Sequence, residues 1–596
     1  MEKYKSRSDV PDKYKWDLTD FYKDDKDFYS NLDKASNLIN KLSDYVGCTK
    51  DSNKLYEYLK FDLELSALVE NLYVYSYLKD DEELGNSISI DRKNKALKVI
   101  TDYTLSASFF NPELLSLSKE EYNNLFKNKK LNEFKFMLDE IYKSKDHILS
   151  SREENIINEL NNAMNNYADI SSTMLNSEHN YGKVIVDNEE IEIRPTNLRL
   201  LLKNKDSNIR KEAFLKYKSK LDEYGVTSAS LLESYVKSNN VISKLHNFNS
   251  AWDEKLFDYN MPNSAYEALI STVENNVSVF QKSLRLYKKI LGLKELHDYD
   301  LNLEISDYVK KYSIEDAVSI VREAIKPLKE EYLECYDKII NNHYIDFCEY
   351  KGKCSGGYSA STIDHDSRIL LSFNEDLESV STIAHECGHN VHHQFVCKNN
   401  DMQYREVTTL VAEVVSLTNE CLLSNYLANN GKCKEEKLAG IYNIISVIES
   451  NLFGAVREGK MELDFYNHSI LGNSITKDYM NELDLESLKK YYGNEVILSD
   501  HTNTGWVRRS HYYMNYYLFN YAFCISIALN ISSKILNNDK EALDNYIKFI
   551  SLGSDVYPID AFKVLGIDIT SKTVYEDAIK YFDSLLDKLD EISREV

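Results

Sequence analysis

"STIAHECGHNVHHQF", residues 381–395, holds four of the chain's 13 histidines, and two of them flank a glutamate as His-Glu-x-x-His. No strong helix breaker stands between Glu378 and Phe395, and Gly388 is the one weak helix former in the motif, so the spacing predicts a helix. His385 and His389 then lie one turn apart on one face. Two imidazoles so placed can reach a single ion about 2.0–2.1 Å from each nitrogen. Glu386 is displaced around the helix and addresses a water beside the ion; a carboxylate there can take the proton of a metal-activated water. Gly388 is expected to leave room beside the metal. Chance explains the motif poorly, since a chain of this composition holds about 0.05 such matches. The apolar neighbours Val380, Ile383, Ala384 and Val391 predict a partly buried helix, and buried titratable groups need partners.

A catalytic metal site needs a third protein ligand and an open position. The extended form His-Glu-x-x-His-x-x-Gly-x-x-His is excluded, because the positions it requires hold His392 and Phe395. The other common form takes a glutamate from a second helix. "REVTTLVAEVVSLTNECLL" (405–423) has helical spacing and offers Glu406, Glu413 and Glu420, seven apart and therefore on one face. Glu413, set among Leu410, Val411, Ala412, Val414 and Val415, is the expected ligand, because a carboxylate in apolar surroundings needs a compensating charge. Glu406 at the helix start reads as a partner of the helix dipole. Glu420 has two readings: an acceptor for a ligand imidazole, or a partly exposed helix acid. His392, about 10 Å along the axis from His385, and His393 are not expected to bind the ion.

The remaining composition bounds the reading. The 596 residues exceed one compact domain. Only 18 Gly and 6 Pro point to long helices. A formal charge of −24 argues against nucleic acid and anionic membrane as partners. Nine cysteines without a CxxC pair read as reduced thiols. The first residues, "MEKYKSRSDVPDKYKWDLTDFYKDD", show no apolar signal region, and no run approaches about 18 apolar residues. The expectation is a cytoplasmic protein with no membrane partner.

Helical periodicity dominates, as in "SNLDKASNLINKLSDYV" and "EALISTVENNVSVFQKSLRLYKKIL". Two segments break it. "KVIVDNEEIEIRP" (183–195) alternates β-branched residues around Asp187-Asn188 and predicts a hairpin. "SRILLSFN" (367–374) predicts a short strand just before the histidines, either a plain structural edge or an edge that pairs an extended peptide. "CSGGY" (354–358) reads as a loop that can approach a peptide backbone closely. A soft boundary near Pro195 divides an N-terminal helical domain, 1–195, from a catalytic domain, 196–596.

On "AHECGHNVHHQF", on Glu413 in "LVAEVVSLTNE" and on the glutamate seven further on, the chain resembles the thimet-oligopeptidase-like zinc metallopeptidases, and among them the oligoendopeptidase F branch. "KYKWDLTDFY", "CSGGYSAS" (354–361) and "WVRRSHYYMNYYLFNYAF" (506–523) extend the resemblance over nearly the whole chain. It implies a mainly α, elongated, multi-helix zincin-like body with a small β-sheet beside the active site and a deep substrate channel walled by the N-terminal helices. It also implies cleavage of short peptides rather than folded proteins.

The late segment has its own physical reading. A peptide hydrolase must stabilise the oxyanion of a tetrahedral intermediate, and phenol and imidazole donors suit that task. The family places a histidine and two tyrosines here, which implies His511 and, of the tyrosines at helical spacing, Tyr516 and Tyr521, with Tyr513 as a further candidate. The glycines that separate histidine from tyrosine in the thimet branch are absent here, and an aromatic core stripe is the competing reading of each tyrosine.

The function expected is that of a zinc endopeptidase. One Zn²⁺ per chain is held by His385, His389 and Glu413; Glu386 is the general base; His511, Tyr516 and Tyr521 are the catalytic donors. A zinc carboxypeptidase or dipeptidase with the same metal site is the alternative, and a peptide-binding protein with structural zinc a third reading. Substrate peptides are the only partners expected, and the oligomeric state is left open.

Overall fold

The computed structural model describes residues 4–150, 152–154, 156–157, 166–176, 180–306 and 310–594. Long helices carry the chain, as the mainly α expectation requires. Among the described residues the strands are β1 (Lys183–Val186), β2 (Glu189–Glu192), β3 (Ile345–Cys348), β4 (Tyr358–Ala360) and β5 (Arg368–Phe373), in two small sheets. The chain packs as two compact units. The first comprises Met1–Asp146, Val309–Leu423 and Lys534–Gly566; the second comprises His147–Tyr308, Ser424–Ser533 and Ile567–Val596. Each unit is assembled from pieces distant in sequence, a division that a sequential boundary near Pro195 does not express.

In the first unit the Asp51 carboxylate starts the 31-residue helix Ser52–Glu82 by accepting from the amides of Asn53 and Lys54. Leu55, Tyr58, Leu72, Tyr75 and Leu78 of that helix are buried with Trp16, Phe28, Leu131 and Phe134 in one core that reaches the sheet at Leu370. Sheet order is β3-β5-β4, with β5 parallel to β3 and antiparallel to β4. The predicted strand is therefore present as β5, but it is the middle strand, paired on both sides through Ile369 and Leu370. Its backbone groups there are committed, so the expected peptide edge is not on β5. Four successive buried residues, Arg368–Leu371, mark it as a strand covered on both faces. The outer strand that remains half-buried is β4, directly after the glycine loop.

Asp376 caps the helix after β5, its carboxylate accepting from the Ser379 amide at 2.8 Å. This histidine helix, Leu377–Asn399, extends beyond both predicted ends. It packs on β4 and β5 and on the helices Ile314–Ala324 and Glu330–Asn341. The glutamate helix follows at Thr409–Asn430, and Glu406 lies before its first turn, exposed.

The second unit contains the 39-residue helix Ser207–Leu245 and the predicted hairpin. Asp187 and Asn188 both take left-handed φ, 50° and 69°, as a two-residue hairpin turn that follows the strand twist requires. Two helical stretches, Lys434–Ile470 and Leu518–Leu536, are long and apolar enough to cross a membrane by length and composition, which the sequence reading did not anticipate. Most of the apolar window of Leu518–Leu536, 78%, is buried inside the protein, so this helix has the character of a core helix. Cys48, Cys335, Cys354, Cys387, Cys397 and Cys433 are free thiols.

Candidate active site

The histidine and glutamate helices meet through a glycine. A Cβ on Gly388 would stand 2.8 Å from Ser416 Cα and 3.1 Å from Asn419 Nδ2, so this residue is glycine because the two backbones touch there. That corrects the expectation that it makes room beside a metal. Asn419, wholly buried, fixes the contact. Its amide donates to the Ala384 carbonyl at 3.0 Å, and its own oxygen accepts from the Tyr332 hydroxyl at 2.8 Å. With the backbones this close, the short Glu413 carboxylate reaches the two imidazoles.

His385 Nε2 and His389 Nε2 lie 3.1 Å apart. Glu413 Oε2 is 3.5 Å from His385 Nε2, and Glu413 Oε1 is 3.8 Å from His389 Nε2. A tetrahedral zinc with bonds of about 2.0–2.1 Å needs donor atoms about 3.3 Å apart. Two imidazole nitrogens and the Glu413 carboxylate at these separations fit such an ion. Among the described residues this is the one His/Cys/Asp/Glu group whose donor atoms all converge within 4.8 Å. Glu406 is not part of it.

The surrounding groups orient the three donors. His385 Nδ1 donates to Glu420 Oε1 at 2.7 Å, which leaves the Nε2 lone pair directed at the converging centre. Ser381, one turn before His385, donates to Glu420 Oε2 at 3.2 Å. Ser416 donates to Glu413 Oε2 at 3.0 Å. Burial works to lower the His385 pKa, but the Glu420 hydrogen bond and the charges of Glu420, Glu386 and Glu413 outweigh it and raise it to about 9. His389 moves the other way, driven well below its usual value by burial and by the neighbouring His385 and His392. His392 and His393, buried on the far side of the motif, are held neutral by burial, at about 3 and about 4.

Glu386 is 8% exposed. Burial raises its carboxyl to about 7, with His385 opposing and Glu413 adding to the rise. A base poised near neutrality suits proton transfer. The glycine loop lies against it: a Cβ on Gly357 would stand 3.7 Å from Glu386 Oε1 and 2.9 Å from Thr382 Cγ2. A larger residue at 357 would collide with Thr382 and stand in van der Waals contact with the Glu386 carboxylate. The loop is anchored behind by Lys353, almost fully buried, which donates to the carbonyls of Asp346, Cys348 and Leu371.

The second unit holds His511 and the tyrosines, and here the predicted helical stripe does not form. Residues 510–513 make a 3₁₀ turn, Asn515 and Tyr516 take left-handed φ of 43° and 59°, and a helix resumes only at Leu518. The break is fixed by side chains: Asn515 Oδ1 accepts from Tyr466 at 2.8 Å, and the Tyr516 amide donates to Glu462 Oε1 at 2.7 Å. Tyr516 is thereby turned inward, 2% exposed, with its ring 4.8 Å from those of Trp252 and Tyr466. It occupies an aromatic core position, the competing reading of each tyrosine. Tyr521 is half-buried and stands 3.3 Å from His511 Nε2, with Tyr517 packed edge-on against it at 5.4 Å. Tyr513 packs on Tyr235. Arg509 donates to Glu458, which also receives Arg457, so the His511 turn is tied to a buried ion network.

Ser381, Ser416 and Asn419 were not singled out from sequence, and Gly357 only as part of the glycine loop 354–358. Ser381 sits one turn from His385 and Ser416 one turn from Glu413, a spacing that could have found them; Asn419 and Gly357 act through contacts between elements that no local pattern carries.

Known proteins resemble the chain over nearly its whole length. The family model described as Peptidase family M3 matches residues 200–581, and the model described as Oligopeptidase F matches residues 113–181. Oligopeptidase PepF of Bacillus subtilis is 29% identical over 99% of this chain and 89% of its own. A crystal structure from Chlamydophila abortus superposes with a TM-score of 0.91 at 26% identity, covering 99% of this chain and all of that one. Oligoendopeptidase-F from Enterococcus faecium shares the fold, with a TM-score of 0.71 at 24% identity over 96% and 99% of the two chains.

Proposed function

The chain belongs to peptidase family M3, and from that premise we propose that it hydrolyses internal bonds of short, unstructured peptides with one zinc ion held by His385, His389 and Glu413. The observation that carries this reading is the convergence of those three donor groups beside a buried glutamate. A zinc ion so held supplies Lewis acidity toward a peptide carbonyl and toward water. Glu386 takes the proton of the attacking water and delivers it to the leaving nitrogen. Glu420 keeps His385 in the tautomer that presents Nε2. His511 and Tyr521 donate to the oxyanion, a role supported by the family resemblance of their segment and by their pairing with each other. The half-buried outer strand β4, and not β5, offers backbone groups to an extended peptide.

Peptides blocked at both ends test the reaction class: an endopeptidase cuts them and an exopeptidase does not. Intact casein against its own tryptic peptides at equal bond concentration tests the size limit. Faster cleavage of the fragments is expected; equal rates would remove the restriction to short chains.

A further inference from the structure

The helical rod Lys434–Ile470 is interrupted by a π-turn, Glu449–Gly454. Such wide turns recur at functional sites. This one places Glu449 and Gly454 in the wall of a cavity of about 260 Å³ that lies wholly within the second unit. Much of the remaining wall is aromatic, with Leu284 and Leu301 beside the rings. Tyr287 and Tyr442 stack 15° from parallel with centroids 5.9 Å apart, and Phe280 and Tyr492 stack at 23° and 6.1 Å. The Tyr491 hydroxyl, on a residue 2% exposed, also belongs to this wall and has no hydrogen-bond partner among the described residues.

The charges in the wall do not balance. Arg457 is already matched, donating to Glu458 at 3.0 Å and to Asp484 at 2.8 Å. Glu449 has no cation within ion-pair distance among the described residues; burial raises its carboxyl to about 7 against a hydrogen bond with Ser283. An anionic ligand would meet Glu449 and Glu458. A neutral apolar ligand would bury a carboxyl without compensation. A cation gives the carboxylate a partner, and an aromatic lining is compatible with positive charge.

We infer that this cavity is a binding site for a small organic cation, an ammonium or guanidinium carried on an apolar stem. Its volume limits the occupant to about the size of one amino acid. Isothermal titration calorimetry of the full chain tests this, with phenethylamine and agmatine as probes and phenylacetate and 2-phenylethanol as charge controls. The expected result is one saturable site for at least one of the two cations and none for the controls. Affinity should fall about ten-fold or more in Glu449→Gln, as loss of an ion pair and its polarised cage implies. Leu284→Phe, which fills the cavity from its apolar wall, should abolish binding without touching the acid, and it carries the test if Glu449→Gln does not fold. Failure of both cations to bind, equal binding of phenylacetate, or affinity unchanged in the folded variants overturns the inference. None of these readouts depends on zinc or on peptidase activity.

Discussion

His385 Nδ1 stands 2.7 Å from Glu420 Oε1, while Nε2 of the same ring faces Glu413 and His389. A carboxylate behind a ligand imidazole fixes its orientation and raises its basicity. Glu420→Ala is therefore expected to weaken zinc binding about 10–100-fold, measured by competition with a chelator of known affinity. Unchanged affinity would make Glu420 an ordinary helix acid.

Glu413 and Glu406 separate the ligand from its neighbour in sequence. Glu413→Ala should lose the metal on dialysis, and Glu406→Ala should keep it, since Glu406 is exposed and outside the converging group. Metal analysis of the two dialysed variants decides this, and loss of metal from Glu406→Ala would refute the assignment.

The two tyrosines are expected to behave differently. Tyr521→Phe removes a donor beside His511 and should lower kcat about 10²–10³-fold with KM little changed. Tyr516→Phe alters a core ring and should keep kcat within about two-fold. Steady-state kinetics on one blocked peptide compare them; a crippled Tyr516→Phe with an active Tyr521→Phe would reverse the roles.

The converging trio His385, His389 and Glu413 was legible in the sequence because helical spacing is local. One turn separates His385 from His389, seven residues separate Glu413 from Glu420, and Asp187-Asn188 marks a hairpin; none of these needs knowledge of a distant partner. What it did not show depends on distant partners. β5 is central because β3 and β4, at separate places in the chain, flank it. Gly388 is explained by Ser416 on another helix. The left-handed pair Asn515-Tyr516 is held by Tyr466 and Glu462, so the helical stripe counted through it does not form.

Glu462 gives a pH test away from the metal. It is fully buried, Oε2 has no hydrogen-bond partner among the described residues, and burial raises its carboxyl from 4.5 to about 8. The folded state therefore keeps a proton that the unfolded state releases, and stability falls as pH rises from about 4.5 to about 8, by a few kcal/mol at most. Glu462→Gln removes this slope. Its melting temperature relative to wild type should climb between pH 5.5 and 8.5 in calorimetry; parallel profiles would contradict the protonated carboxyl.

The central claim is that Glu386 is the base beside a zinc it does not ligate. Its most direct test is Glu386→Gln, with zinc content and the cleavage rate of a doubly blocked peptide measured on the same preparation. The account predicts one zinc per chain in both proteins and a rate about 10²–10⁴-fold lower in the variant. A variant that retains zinc and cuts at near the wild-type rate, or one that loses its zinc, would contradict it.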